Sequence, residues 1–163
     1  MRLVVLGSAA GGGIPQWNCR CSICALAWAG DPRVKPRTQS SIAVSPDGDR
    51  WLLVNASPDI RQQIQAVPEM HPRQGLRHSP IHAVLLTNGD VDHVAGLLTL
   101  REGQPFTLYG TAGILGSINE NRVFDVMAAD KVTRQPIALN DGFEPVPGLR
   151  VTLFAVPGKV PLW

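Results

Sequence analysis

A mixed α/β fold built in layers is what this sequence predicts, and three observations carry that reading. An apolar opening strand and a hairpin are followed by strands that alternate with helices, an order that favours α/β layers over a bundle or a β-sandwich. Hydrophobic residues make up 44% of the 163 residues and charged residues 17%, the balance of a chain that buries a core rather than of a disordered one. There are 16 glycines and 14 prolines, so loops are many and function is to be sought in them. The length suits a single domain over residues 1–163.

Arg2–Leu6, β-branched and apolar, reads as a buried strand, and the Gly-rich loop Gly7–Gly13 follows. Cys24–Trp28 reads as one helical turn or more, and Arg33–Thr38 as exposed loop. Ser41–Val44 and Trp51–Asn55 flank Pro46-Asp47-Gly48-Asp49, a hairpin with a turn mechanism: glycine supplies positive φ and proline presets the first corner. Ser57-Pro58-Asp59 reads as a helix start, with Ser57 as cap and Pro58 in the first helical position. Ile60, Ile64 and Val67 share one face, so that helix runs to about Ala66 before Pro68. Ile81–Leu86 is a strand, Asp92–Leu100 a helix, Phe106–Tyr109 a strand. Thr111–Met127 is mostly helix with Ile114, Ile118, Val123 and Met127 inward. Arg134–Ala138 and Arg150–Val156 are strands separated by Asn140-Asp141-Gly142.

Charge and hydropathy exclude partners. The net charge of +2 is too small to call for nucleic acid or a charged membrane surface. No run of 18 apolar residues exists, and the five-residue run before Gly7 is too short for a secretory signal, so the cytoplasm is the expected location.

Three stretches carry chemistry. Gly7-Ser8-Ala9-Ala10-Gly11-Gly12-Gly13 after a strand has the look of a dinucleotide loop, with Arg37 available to a 2′-phosphate. Such a loop needs a helix directly behind it, and Ile14-Pro15-Gln16-Trp17-Asn18-Cys19 does not read as one, so a tight turn of close backbone approach is the better reading. Cys19, Cys21 and Cys24 are three thiols within six residues. A loop can wrap them around one face of a tetrahedral zinc, a structural site whose fourth ligand comes from elsewhere. His71, His78 and His82 are available but have no telling spacing. Unligated buried thiols, or a redox pair at Cys21 and Cys24, are the alternatives. Asn88-Gly89-Asp90-Val91-Asp92-His93 ends a buried strand and begins a helix, where the edge of an α/β sheet opens into a crevice. Two carboxylates and an imidazole on one turn suit iron, manganese or zinc. The plainer alternative is that Asp90 and Asp92 cap the helix and His93 is satisfied at the surface.

This strand, turn and helix resemble the metal signature of the metallo-β-lactamase superfamily, His-x-His-x-Asp-His. Here the last two positions match, as Asp92 and His93, and the two leading histidines are Asn88 and Asp90. The altered motif is similar to that of the PqqB family of pyrroloquinoline quinone (PQQ) synthesis proteins. The glycine loop with Pro15-Gln16-Trp17-Asn18-Cys19, the Cys-x-Cys-x-x-Cys cluster, and Ala155-Val156-Pro157-Gly158-Lys159-Val160 support the same resemblance.

The resemblance implies an αββα sandwich of which this chain is the N-terminal half, a truncated single domain. It implies a metal-dependent enzyme of PQQ biosynthesis that hydroxylates the tyrosine of a glutamate–tyrosine precursor at Fe2+, with Zn2+ or Mn2+ the weaker fits. The site residues carried over are Asn88, Asp90, Asp92 and His93, of which Asp90, Asp92 and His93 hold the metal; Cys19, Cys21 and Cys24 hold structural Zn2+. Losing two neutral histidines weakens a two-zinc hydrolytic site, leaving one metal and oxygen activation as the better match. The alternatives are a carrier that moves PQQ or its precursor toward the periplasm, and a metallo-hydrolase. Further ligands of both sites are expected as late histidines, and none of the four histidines follows His93, so this piece alone is expected to be inactive. An uncovered half-sandwich predicts aggregation or a homodimer. The substrate is expected to be small and peptide-derived.

Overall fold

A computed structural model of the chain describes residues 1–158. Its centre is a six-stranded sheet in sequential order: β1 (Arg2–Gly7), β2 (Ser41–Ser45), β3 (Trp51–Val54), β4 (Ile81–Leu85), β5 (Phe106–Gly110) and β6 (Val132–Pro136). β1, β2 and β3 pair antiparallel, with Ile42 opposite Val54. From β3 onward the pairing is parallel, with Val84 opposite Leu108 and Leu108 opposite Arg134. Of the two antiparallel pairings, β1–β2 is joined by a long excursion and β2–β3 by a tight hairpin. Its turn closes as expected: Gly48 has φ +87, and the Asp47 carboxylate accepts the N–H groups of Asp49 and Arg50 at 2.9 Å each. The parallel part comes from crossovers through α2 (Ile60–Ala66), α3 (Val91–Val94) and α4 (Ala112–Glu120).

The middle of the sheet is buried on both faces. Leu53, Val84, Leu86 and Leu108 pack with Ile60, Val94, Leu97, Leu115 and Ile118 of the helical layer. Leu52, Ala83, Leu85 and Tyr109 form a second cluster with Val146 and Leu149, which belong to a separate hairpin of β7 (Gly142–Val146) and β8 (Leu149–Thr152). Helices, main sheet and hairpin thus form three layers, with both faces of β3 and β4 apolar as parallel strands require.

Several elements depart from expectation. β1 is an edge strand and only its end is buried; Leu3 and Val5 are 57% and 59% exposed, because the β7–β8 hairpin stops short of them. Ser57 does not cap α2 with its hydroxyl, which instead donates to Gln63 Oε1. Asp59 is the cap residue, and its carboxylate is occupied by the N–H and side-chain amide of Gln39. The expected helix over 92–100 is α3 followed by a 3-10 turn, Ala95–Leu98. The expected helix over 111–127 stops at Asn121, whose extended backbone leads into a 3-10 turn, Arg122–Val126. That break turns Val123 out to solvent and brings Phe124 inward. β6 starts two residues early, at Val132, and β8 ends at Thr152. β7 has no counterpart among the expected strands, since Glu144-Pro145 hides its alternation. Of the stretch Ala155–Val160, Lys159 and Val160 lie outside the described residues. Among the described residues no helix is long and apolar enough to cross a membrane.

Candidate functional site

Two constellations stand at separate places on this frame. The first is the excursion between β1 and β2. It leaves the sheet at Gly7 and is pinned at its neck by reciprocal backbone bonds between Ile14 and Arg37, both 2.8 Å. Gly7 has to be glycine, because a Cβ there would lie 2.0 Å from the Gln39 carbonyl; this is the close backbone approach expected of the loop. No helix follows the glycines. α1 (Ser22–Trp28) begins only after the cysteines, so the dinucleotide arrangement is not formed.

The excursion gathers Cys19, Cys21 and Cys24 so that their Sγ atoms all lie within 4.8 Å of one another. A tetrahedral Zn2+ with Zn–S near ~2.3 Å needs sulfurs about 3.8 Å apart, so the three thiols approach that spacing before any ion is added. Their surroundings are graded. Cys21 is exposed and its thiol is held down to about 7, first by the Cys24 backbone N–H and then by the Cys19 thiol. Cys24 is buried; a backbone contact with Gln16 lowers its thiol, but burial and the two neighbouring sulfurs outweigh it and push it up. A site that places one easily ionised thiol beside two others fits a divalent cation by its donor chemistry. Cys24 and Ala27 are buried yet belong to neither apolar cluster, so this segment has almost no core of its own. His71, His78 and His82 do not join the thiols. Their ring nitrogens meet the Gln65 carbonyl, the Arg73 N–H and the Pro80 carbonyl respectively.

The second constellation lies at the carboxyl end of β4. Asn88 Oδ1 accepts the Asp90 N–H at 2.8 Å, folding the turn, and the Asp90 carbonyl accepts the N–H groups of His93 and Val94 to start α3. Asp90 stands in the cap position, but its side chain makes no capping bond. Asp92 and His93 come together: His93 Nδ1 is 3.2 Å from Asp92 Oδ1, with the His93 and Asp92 side chains 17% and 22% exposed. Direction rather than distance fails there, since Nδ1 is buried with no aligned hydrogen-bond partner. The satisfied-surface alternative therefore does not describe this turn: neither carboxylate caps α3, and the imidazole holds a buried nitrogen in reserve. A carboxylate oxygen and an unpaired imidazole nitrogen side by side are donors that a metal of the iron, manganese or zinc group accepts. Among the described residues only the cysteines form a set of three or more such side chains close enough to share an ion, so Asp90 does not complete a triad with Asp92 and His93.

Three residues that the sequence does not single out hold this turn. Asn55, buried and with φ +62, follows β3, and its Oδ1 accepts both the N–H and the hydroxyl of Thr87. Gly96 lets α3 rest on the loop after Asn55; a Cβ there would be 2.2 Å from the Ser57 carbonyl. Ala56 is laced to both, donating to the His93 carbonyl at 2.7 Å and accepting from the Gly96 N–H at 2.9 Å. The only sequence signal for them is an asparagine just past a strand, a residue type that tolerates left-handed backbone. The glycine loop also reaches this site, because the Cα of Gly11 faces Asp92: a Cβ there would be 3.4 Å from Oδ2.

A carboxylate–imidazole pair thus lies at the carboxyl edge of a layered α/β sheet, with Gly11 of the glycine loop beside it. The chain belongs to the β-lactamase superfamily: residues 50–162 match the Beta-lactamase superfamily domain. Over all 163 residues it is 85% identical to Coenzyme PQQ synthesis protein B of Methylorubrum extorquens (strain ATCC 14718 / DSM 1338 / JCM 2805 / NCIMB 9133 / AM1), and covers 54% of that protein. Its structure is similar to that of Zn2+-bound PqqB from Methylobacterium extorquens, with a TM-score of 0.98 at 85% identity, covering all of this chain and 55% of that one. It is also similar to a diphosphatase of the PhnP family, with a TM-score of 0.70 at 26% identity over 91% of this chain and 54% of that one. The chain spans about half the length of the curated relatives it matches.

Proposed function

We propose that this chain supplies the amino-terminal metal-binding portion of a PQQ-biosynthesis protein. In this reading the whole protein hydroxylates the tyrosine ring of a small glutamate–tyrosine precursor in the cytoplasm. What carries the reading is the pair Asp92–His93 with its unpartnered Nδ1, in a motif where Asn88 and Asp90 stand at the positions of two histidines. Iron bound there would supply oxygen activation. This chain's residues do the rest: Asp92 and His93 would be ligands, and Asp90, free of any capping bond but not gathered with them, would have to turn its carboxylate toward the ion to serve as a third. Asn88 fixes the turn through the Asp90 N–H, and Gly11 leaves room beside the Asp92 carboxylate. One oxygen atom enters the ring and the other leaves as water, so an added reductant must deliver two electrons and two protons. Cys19, Cys21 and Cys24 would hold a structural zinc away from this chemistry.

The test is oxygen uptake by the full-length protein, loaded anaerobically with Fe2+ and given a glutamate–tyrosine peptide and a reductant. Uptake coupled to ring hydroxylation, lost in Asp92→Ala and His93→Ala, supports the reading. Intact iron-loaded protein that never turns over sinks it. Similarity to the PhnP-family diphosphatase favours metal-dependent phosphoester hydrolysis as the second reading. Zinc-dependent release of phosphate esters would distinguish it, and the replacement of two histidines by Asn88 and Asp90 speaks against it.

A further inference from the structure

We propose that Cys21 and Cys24 form a site of reversible oxidation, closing to a disulfide that expels the metal and leaves Cys19 as a free thiol. The inference rests on the cysteine cluster and is independent of the chemistry at Asp92 and His93.

The geometry selects this pair among the three. All three sulfurs lie within 4.8 Å, so each pair is within reach of a side-chain rotation. Cys21 immediately precedes α1 and Cys24 lies in its first turn, so the two side chains stand one turn apart, as neighbours three residues apart on a helix do. The Cys21 backbone is extended (φ −62, ψ 166), so its Cβ is not held to the helical path and can close on Cys24. The Cys19–Cys21 pair is poorer. One intervening residue makes a small, strained ring, and Cys19 Sγ already faces the Cys21 N–H at 3.5 Å.

Exposure sets the order of events. Cys21 is open to solvent and meets an oxidant first, whereas Cys24 is buried and is reached from Cys21. With hydrogen peroxide as oxidant, the Cys21 sulfur attacks one peroxide oxygen, the O–O bond breaks, and Cys21 becomes a sulfenic acid as water forms. Cys24 Sγ then displaces that oxygen as a second water, forming the S–S bond. In total two thiols lose two electrons and two protons, and one peroxide becomes two waters. A disulfide sulfur is not a thiolate ligand, so Zn2+ is left with Cys19 alone from this cluster and departs. A dithiol reductant reverses the bond by exchange.

The experiment takes the zinc-loaded chain, adds graded hydrogen peroxide, follows zinc with a chromogenic chelator, and maps the cysteines by mass spectrometry of alkylated peptides. The expected result is zinc release in step with loss of two thiols and a Cys21–Cys24 peptide, with alkylated Cys19. Dithiothreitol should restore both thiols and zinc binding. Cys19→Ser should still form the bridge in the metal-free chain. Cys24→Ser should stop at a sulfenic acid on Cys21 that dimedone traps. Circular dichroism of each variant confirms that the sheet persists. A bridge that includes Cys19, equal loss of all three thiols, or direct passage to irreversible sulfonic acid would overturn the proposal.

Discussion

Asn55 Oδ1 accepts two hydrogen bonds from one residue, the N–H of Thr87 at 2.9 Å and its hydroxyl at 3.0 Å. This ties the end of β3 to the end of β4, directly before the turn that carries Asn88, Asp90, Asp92 and His93. Asn55 is buried and left-handed, so Asn55→Ala loses the acceptor and adds backbone strain. The expected loss is about 2–4 kcal/mol, from a buried unsatisfied donor plus the left-handed penalty. Asn55→Gly removes the strain and should lose less than alanine; Asn55→Asp retains an acceptor and should lose least. Urea unfolding of the three variants tests the order, and an alanine variant as stable as the parent contradicts the tie.

Glycines separate into obligatory and replaceable positions. A Cβ at Gly96 would sit 2.2 Å from the Ser57 carbonyl, so Gly96→Ala must push α3 off the loop that supports His93. A loss of about 3 kcal/mol or more is expected, at the severe end for single substitutions. Gly113 and Gly116 lie in α4, and a methyl added at either would meet nothing within 4 Å, so alanine there should raise stability by about 0.5–1 kcal/mol each. Thermal melts showing the opposite sign, at Gly96 or at the α4 pair, would refute the packing described.

The parts of this fold that sequence reveals are those whose cause is local. The β2–β3 hairpin is legible because Asp47 and Gly48 build its turn themselves, and β4 because Ile81–Leu85 is a largely apolar run. The Cys19, Cys21 and Cys24 cluster is legible from spacing alone. What sequence hides depends on distant partners. Ser57 has the composition of a cap, yet Gln63 takes its hydroxyl. Leu3 and Val5 have the composition of a core strand, yet no layer among the described residues covers them. Asn55 and Gly96 matter to the turn at His93 only through contacts with residues some 30 to 40 positions away in the chain, and no periodicity reports such contacts.

Asp47 links stability to acid. Its carboxyl lies well below the usual carboxylate range, because the Arg50 N–H, then the Asp49 N–H and the Arg50 guanidinium, favour its charged form. A carboxyl depressed on folding contributes stability above its unfolded value, near ~3.9, and loses it as pH falls toward the folded one. Asp47→Asn should therefore lower the melting temperature at pH 7, and the gap from the parent should narrow as the medium is acidified below pH ~4. A gap that stays constant with pH would show that the hairpin turn does not depend on this charge.

The exposed side chains of Leu3 and Val5 on β1, with Phe154 and Val156 after β8, are apolar groups left in water. We expect this chain to self-associate, as a homodimer or higher, through such surface. Leu3→Lys with Val5→Thr should reduce the sedimentation coefficient at high concentration without lowering the unfolding midpoint, since neither residue is buried. A parent chain that sediments as a monomer at every concentration would remove the expectation.

Metal removal should act on one segment and not on the sheet. Residues between the Ile14–Arg37 neck bury Cys24 and Ala27 outside both apolar clusters, so thiolate ligation replaces a core there. Chelation should raise amide exchange over the cysteine excursion and α1 while β3, β4 and β5 stay protected. The thiols must ionise to bind, so zinc affinity should rise with pH. Cys21, lowered to about 7, becomes available before Cys24, which burial and its neighbours push up. Below pH ~6 both are protonated in the free chain and protons compete directly with zinc. Zinc titrations from about pH 6 to about pH 9 should show affinity climbing with proton release at each step, and Cys21→Ser should cut the affinity most steeply near neutral pH. Exchange that rises equally in the sheet strands on chelation would mean the cysteine excursion and the sheet form a single cooperative unit.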